Sequence, residues 1–369
     1  MKKSFSLIFI SLIIQSIFLS VNAQLTVPPS GGNKKASVSE MIGLTHVIIN
    51  YDRPGVKKRE GHIWGDLIPA GYTDQGFGSS KAAPWRAGAN ENTTFEVSTD
   101  VKIEGQTLPA GKYGFFVAYN PSECTLLFSK NSTSWGSFFY NPSEDVLKVK
   151  VKPVKLENSV EWLKYEFTDQ TPTSAVVQLQ WEKLSIPFKI EVDLVNNQIE
   201  VFRKELRNKL GFDYKNWNQA AQYAVDNKVN LQEALLWSDT AIKFGGNKDF
   251  RVQSTRAAIL KELGKTEESD AVMKSALPNA SMQDIHQYGR QLLAQKRYKE
   301  AFEVFKMNYT KYPNEFTTNM GMVRSYSALG DYKNALLIAK HAETLAPDKL
   351  NKDFVTKAIK LLQEGKDIN

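Results

Sequence analysis

The sequence predicts a multidomain α+β protein: an N-terminal antiparallel β-sandwich-like domain, then a C-terminal α-helical solenoid. Two patterns carry that reading. Leu147, Val149 and Val151 alternate with Lys148, Lys150 and Lys152, the period of two expected of a strand with one face in a core. In the last third, Tyr298 and Tyr332, Ala301 and Ala335, and Pro313 and Pro347 each recur 34 positions apart, a period that predicts stacked helical hairpins.

The chain opens with a segment that reads as a cleaved export signal. Lys2 and Lys3 precede a mostly apolar run from Phe5 to Phe18, and Val21-Asn22-Ala23 supplies the small residues that a signal peptidase needs before Gln24. Ser6, Ser11, Gln15 and Ser16 interrupt the run, which makes it a poor membrane span. No cysteine follows it for lipid attachment. The expected mature chain is therefore periplasmic or secreted, with no membrane span once Met1–Ala23 is removed. Gln24–Lys35, containing Pro28-Pro29-Ser30-Gly31-Gly32, is expected to be a flexible leader.

Strands follow over an expected β domain of 36–201. Val47, Ile49 and Tyr51 alternate, as do Phe95 and Val97, the stretch Tyr113 to Tyr119, and Leu126 to Phe128. Beyond Val146–Lys152 the same period runs through Leu163, Tyr165 and Phe167, then Ala175 to Trp181, then Ile186 to Val192. Turns fall at Glu104-Gly105, Pro109-Ala110-Gly111, Asn120-Pro121 and Asn141-Pro142. Short strands at this spacing, with no helices between them, predict an antiparallel sandwich or a barrel-like relative. The single cysteine, Cys124, lies in the apolar pattern Glu123 to Phe128, so it reads as a small buried hydrophobe and not a nucleophile. With no intrachain disulfide available, stability must come from buried apolar area.

From Phe212 the apolar spacing turns helical, and 212–369 is expected to form paired helices. Tyr298, Ala301, Phe305 and Pro313, with Tyr332, Ala335, Ala342 and Pro347, resemble the tetratricopeptide family, in which a small residue lets two helices approach, an aromatic fills the gap and a proline closes the second helix. Gly289 occupies the close-packing position of that third unit. Phe250–Asn279 and about Lys215–Asn247 are degenerate earlier units, and Asn351–Glu364 reads as a final helix shielding the last pair, with Phe354, Ala358, Ile359 and Leu362 on one face. In this family the first helix of each hairpin lines a concave groove. The resemblance therefore implies protein-protein interaction, with a peptide groove at Gln283, His286, Arg290, Thr317 and Arg324. The last two arginines would stack along it and grip an extended peptide or its terminal carboxylate.

Charge sets further bounds. Of a formal +7, Gln24–Glu205 carries 20 Lys+Arg against 21 Asp+Glu, net −1, and Leu206–Asn369 carries 25 against 19, net +6. The basic residues are scattered along the helices and not gathered in a stripe, so no nucleic-acid partner is expected.

The densest polar region lies between early strands: Arg53-Pro54-Gly55-Val56-Lys57-Lys58-Arg59, His62-Ile63-Trp64-Gly65, and Trp85 to Thr94. Here the chain resembles the bacterial exported proteins grouped as Domain of Unknown Function 2911. The matching stretches are Tyr51 to Gly55 with Lys58-Arg59, Trp85 to Thr93, Leu108 to Tyr113, Trp135-Gly136 and Trp181-Glu182, within about Ala36 to Val192. One departure is Thr73 to Pro84, which separates Gly71 from the Trp-Arg pair that closely follows it in the family pattern. No activity comes with this resemblance. Arg53, Lys57, Arg59 and Arg86 offer donors for an anion; Trp64 and Trp85 can stack on a sugar ring or pack under an arginine. A ligand site is expected at Arg53, Lys57, Arg59, His62, Trp85, Arg86, Asn90 and Glu91, for an anionic small molecule or a glycan. The competing reading is a structural network in which Arg86 pairs with Glu91 or Asp52 and Trp85 anchors the core.

No enzyme signature stands out. His46, His62, His286 and His341 are far apart and none has a metal-binding spacing. No Gly-x-Ser-x-Gly elbow or phosphate-cradling glycine loop is present. The expectation is an exported binding or scaffold protein without a cofactor or metal. The alternative is an envelope enzyme or ligand-binding protein with its site around Arg53, His62 and Arg86.

Overall fold

The computed structural model describes residues 32–369, and the expected export signal and leader residues 24–31 lie outside the described residues. Contacts divide the chain into two units that meet between Val192 and Asp193.

The first unit holds ten strands: β1 Lys34–Ile42, β2 Thr45–Arg53, β3 Thr93–Val97, β4 Val101–Ile103, β5 Gln106–Leu108, β6 Gly111–Ala118, β7 Cys124–Ser129, β8 Asp145–Val151, β9 Val154–Thr171 and β10 Ser174–Val192. They form a six-stranded sheet in the order β1-β2-β3-β6-β7-β8 and a four-stranded sheet in the order β5-β4-β10-β9. All pairings are antiparallel. The inward positions of both sheets meet in one core, centred on Phe95, Phe115, Phe128, Trp181 and Phe188. Cys124 is fully buried there, and burial pushes its thiol above the ordinary range. Lys34 and Lys35, expected in the leader, instead open β1, paired with Arg53 and Asp52 of β2.

The two apolar series at Ala175–Trp181 and Ile186–Val192 belong to one strand, β10. Their parity differs because the register with β9 shifts on both sides of Glu182, where the backbone is left-handed (φ 52°). The kink returns the inward face to even positions.

The second unit begins with a helix that the apolar pattern did not predict, α1 Leu194–Glu205. The expected β-domain limit at 201 falls inside it and is corrected to Val192. Leu194 prolongs the even-numbered apolar series of β10, but the Asp193 carboxylate caps the helix, accepting from Asn196 N at 3.0 Å. Four hairpins follow: α2 Tyr214–Asp226 with α3 Leu231–Lys243, α4 Phe250–Glu262 with α5 Thr266–Ala276, α6 Met282–Ala294 with α7 Tyr298–Lys311, and α8 Phe316–Ala328 with α9 Tyr332–Thr344. A last helix, α10 Lys349–Gln363, packs Val355 and Leu362 against α8 and α9.

The repeat has a packing cause. Ala301 and Ala335 are fully buried, and Pro313 and Pro347 stand just beyond the ends of α7 and α9. Phe305 of α7 wedges between Gly289 of α6 and Gly321 of α8. A Cβ added at Gly289 would lie 2.6 Å from that ring, and one at Gly321 would also collide with it.

Candidate functional site

In the β unit, the long segment 54–92 between β2 and β3 doubles back so that Trp85 pairs through its backbone with Val117 of β6. Trp85 Nε1 donates to Gly88 O at 3.1 Å. Ala87 and Asn90 hold left-handed backbone angles (φ 51° and 55°). Two donors fix that strained turn: Tyr165 Oη reaches Ala87 O at 2.7 Å and Thr93 Oγ1 reaches it at 3.1 Å.

The turn aims Arg86 into a cleft of about 440 Å³ that is also lined by Arg59, Trp85, Asn90, Thr73, Gln75 and Trp181. Arg86 Nη1 donates to Asn90 O at 2.6 Å, and its guanidinium lies 5.0 Å from the centre of the Phe138 ring. Burial depresses its pKa, and no carboxylate offsets that effect. Arg59 donates through Nη2 to Gly55 O at 2.7 Å and through Nε to Val56 O at 3.0 Å. The lining carries no Asp or Glu. Beneath it, Trp85 and Trp181 stack at 6.1 Å, and Trp64 meets both edge-on.

Of the residues expected at this site, Arg59, Trp85, Arg86 and Asn90 line the cleft. The others stand elsewhere. Arg53 Nε donates to Leu163 O at 2.8 Å, tying β2 to β9. Lys57 is held by its main chain, whose N–H donates to Glu161 Oε1 at 3.0 Å. His62 is exposed, 2.9 Å from Asp66. Glu91 pairs with Lys35 at 2.9 Å in a neighbouring hollow that also holds Asp52. Neither carboxylate pairs with Arg86. The segment 73–84 adds a wall, with Thr73 and Ala83 bridged through their backbones and Gln75 facing the cleft. No residue pattern marked Thr73 or Gln75, because the loop is brought over the site only by that bridge.

In the helical unit, His286, Arg290 and Arg324 come together. His286 packs its ring on Phe305 at 5.5 Å, and its Nδ1 is buried without a partner among the described residues. Burial, then the two nearby guanidinium groups, bring its pKa down to about 4. Arg324 lies over the Phe354 ring at 5.1 Å, and burial followed by Arg290 brings it down to about 10. Gln283 and Thr317 occupy the first turns of α6 and α8, exposed and half-buried respectively.

Two adjoining clefts run along the first helices of three hairpins. One of about 380 Å³ lies on α2 and α4, one of about 280 Å³ on α2, α4 and α6, and both include Asn218, Gln222 and Arg251. Five side-chain amides, Asn218, Gln219, Gln222, Gln287 and Gln291, line this groove, together with the carboxylates of Asp226, Asp249 and Asp284 and the cations Lys215 and Arg251. The expected groove residues stop at α6 and α8, since the earlier hairpins match the repeat too weakly for their inner faces to be picked out.

By fold, then, the chain joins an antiparallel β unit to a solenoid of helical hairpins, each with a polar cleft. Residues 33–190 match the model of a protein family of unknown function, DUF2911. None of the curated proteins compared matches. Solved tetratricopeptide structures match the helical region. YrrB, described as a TPR protein with an unusual peptide-binding site, is 14% identical, with 45% of this chain and 86% of that one covered and a TM-score of 0.31. MamA (residues 41 to the end) from Desulfovibrio magneticus RS-1 is 17% identical, with 41% and 90% covered and a TM-score of 0.29. A tetratricopeptide repeat protein from Parabacteroides merdae ATCC 43184 is 18% identical, with 47% and 80% covered and a TM-score of 0.23.

Proposed function

We propose that this is an exported, non-enzymatic binding protein whose helical unit holds an extended polypeptide along α2, α4 and α6. The observation that carries the reading is the amide-rich groove. Primary amides donate and accept as a peptide backbone does, so a row of them can satisfy an extended main chain whatever its sequence. Arg290 and Arg324, adjoining on α6 and α8, supply positive charge beyond the groove for an acidic side chain or terminal carboxylate. Export is supported by the Met1–Ala23 pattern; mature protein recovered from its host should begin at Gln24.

Selection of a displayed peptide library on the full chain should enrich binders. The double substitution Gln222→Ala/Gln287→Ala should weaken them about tenfold while leaving the helical circular-dichroism signal intact. Arg290→Glu/Arg324→Glu should weaken acidic binders more than neutral ones. A library that yields no binders, or binders indifferent to both pairs, would refute the reading.

A further inference from the structure

The cleft of the β unit has a chemistry of its own, independent of the helical groove. Each guanidinium carries five N–H donors. Arg59 directs Nε and Nη2 to backbone carbonyls, and Arg86 directs Nη1 to one. The remaining donors have no acidic partner among the described residues, and no carboxylate lines the cleft. A guanidinium serving only as a strut in a half-buried loop would ordinarily be matched by an acid, because burying an uncompensated charge is costly. Here Asp52 and Glu91 are nearby in sequence, yet both are engaged by Lys35.

The donors are also held in place. Arg86 sits between the Phe138 ring and Gly136, where a side chain would collide with its guanidinium. The left-handed turn at Ala87 that presents it is locked by Tyr165 and Thr93. Such preorganisation is strained backbone maintained by its surroundings, a pattern concentrated at ligand sites. Beside the two arginines the lining is mixed: Trp85, Ile68 and Pro69 give apolar walls, Thr73, Gln75 and Asn90 give neutral polar groups, and the volume of about 440 Å³ suits a small molecule.

We propose that this cleft binds a small organic anion: a carboxylate or phosphate on an apolar body, with the charged group between Arg59 and Arg86 and the body against Trp85. The test is calorimetric titration of the full chain with three probes sharing one ring: cyclohexanecarboxylate, cyclohexyl phosphate and cyclohexanol. At least one anion should bind saturably in the millimolar range or tighter, and about tenfold more tightly than the neutral alcohol. Preference between the two anions identifies the head group. Arg86→Gln and, on a separate segment, Arg59→Gln should each weaken the anion about tenfold without weakening the alcohol. Should Arg86→Gln fail to fold, Arg59→Gln and Arg86→Lys still decide the matter. No saturable binding of either anion, equal binding of the alcohol, or undiminished anion binding by folded Arg59→Gln overturns the proposal.

Discussion

His286 shows how burial and like charge act together on one side chain. Its ring is enclosed against Phe305 and faced by Arg290 and Arg324, so the folded protein keeps it neutral with a pKa of about 4. Because the unfolded chain would bind that proton near pH 6.5, stability is fully present above that value. It declines as pH falls from about 6.5 to 4, by roughly 2 kcal/mol given the half-buried ring. In urea titrations, His286→Leu should flatten that part of the profile; an unchanged slope would remove the assignment. At Gly289, alanine would add about 1 kcal/mol of helix propensity but drive a methyl into Phe305, at a cost of about 1–3 kcal/mol. Since Phe305 is also wedged against Gly321, it has no room to retreat. Gly289→Ala should therefore be net destabilising by about 1 kcal/mol in chemical denaturation.

At the scale of the element, β10 depends on its kink. Glu182 is buried, holds a left-handed angle, and accepts from Gly61 N at 2.7 Å. Glu182→Ala keeps the strained backbone and removes its tie to Gly61, so a loss of about 1 kcal/mol is expected. If thermal and urea unfolding barely move, the kink is not held by that bond. The alternating residues of β10 were legible in the sequence on either side of Glu182, whereas their union into one strand was not. Alternation records only which face a residue takes, and a register shift is written in the partner strand. Helix α1 was hidden for a similar reason: Leu194 continues the even-numbered strand series of β10, and the Asp193 cap decides for the helix.

At the scale of the molecule, contacts separate at Val192–Asp193, and each side has its own apolar clusters. Expressed apart, the segment ending at Val192 should give a β-type far-ultraviolet spectrum and the segment from Asp193 a helical one, each unfolding cooperatively. A β fragment that remains unfolded alone would show that its core needs the helices. The two proposed sites fall on either side of the same line: a cleft with two arginines and two indoles in the β unit, and a groove carrying five side-chain amides in the helical unit.

The sequence by itself determined the order of the architectures, since periods of two and of 34 residues record burial and hairpin stacking directly. It also contained Arg59, Trp85, Arg86 and Asn90 as members of one dense polar region. Only the tertiary structure decided which charges are matched. Lys35 takes Asp52 and Glu91, leaving Arg86 without an acid, and the Thr73–Ala83 bridge folds Gln75 over the cleft. Pairing and enclosure depend on distances between segments remote in the chain, and no local pattern encodes those distances.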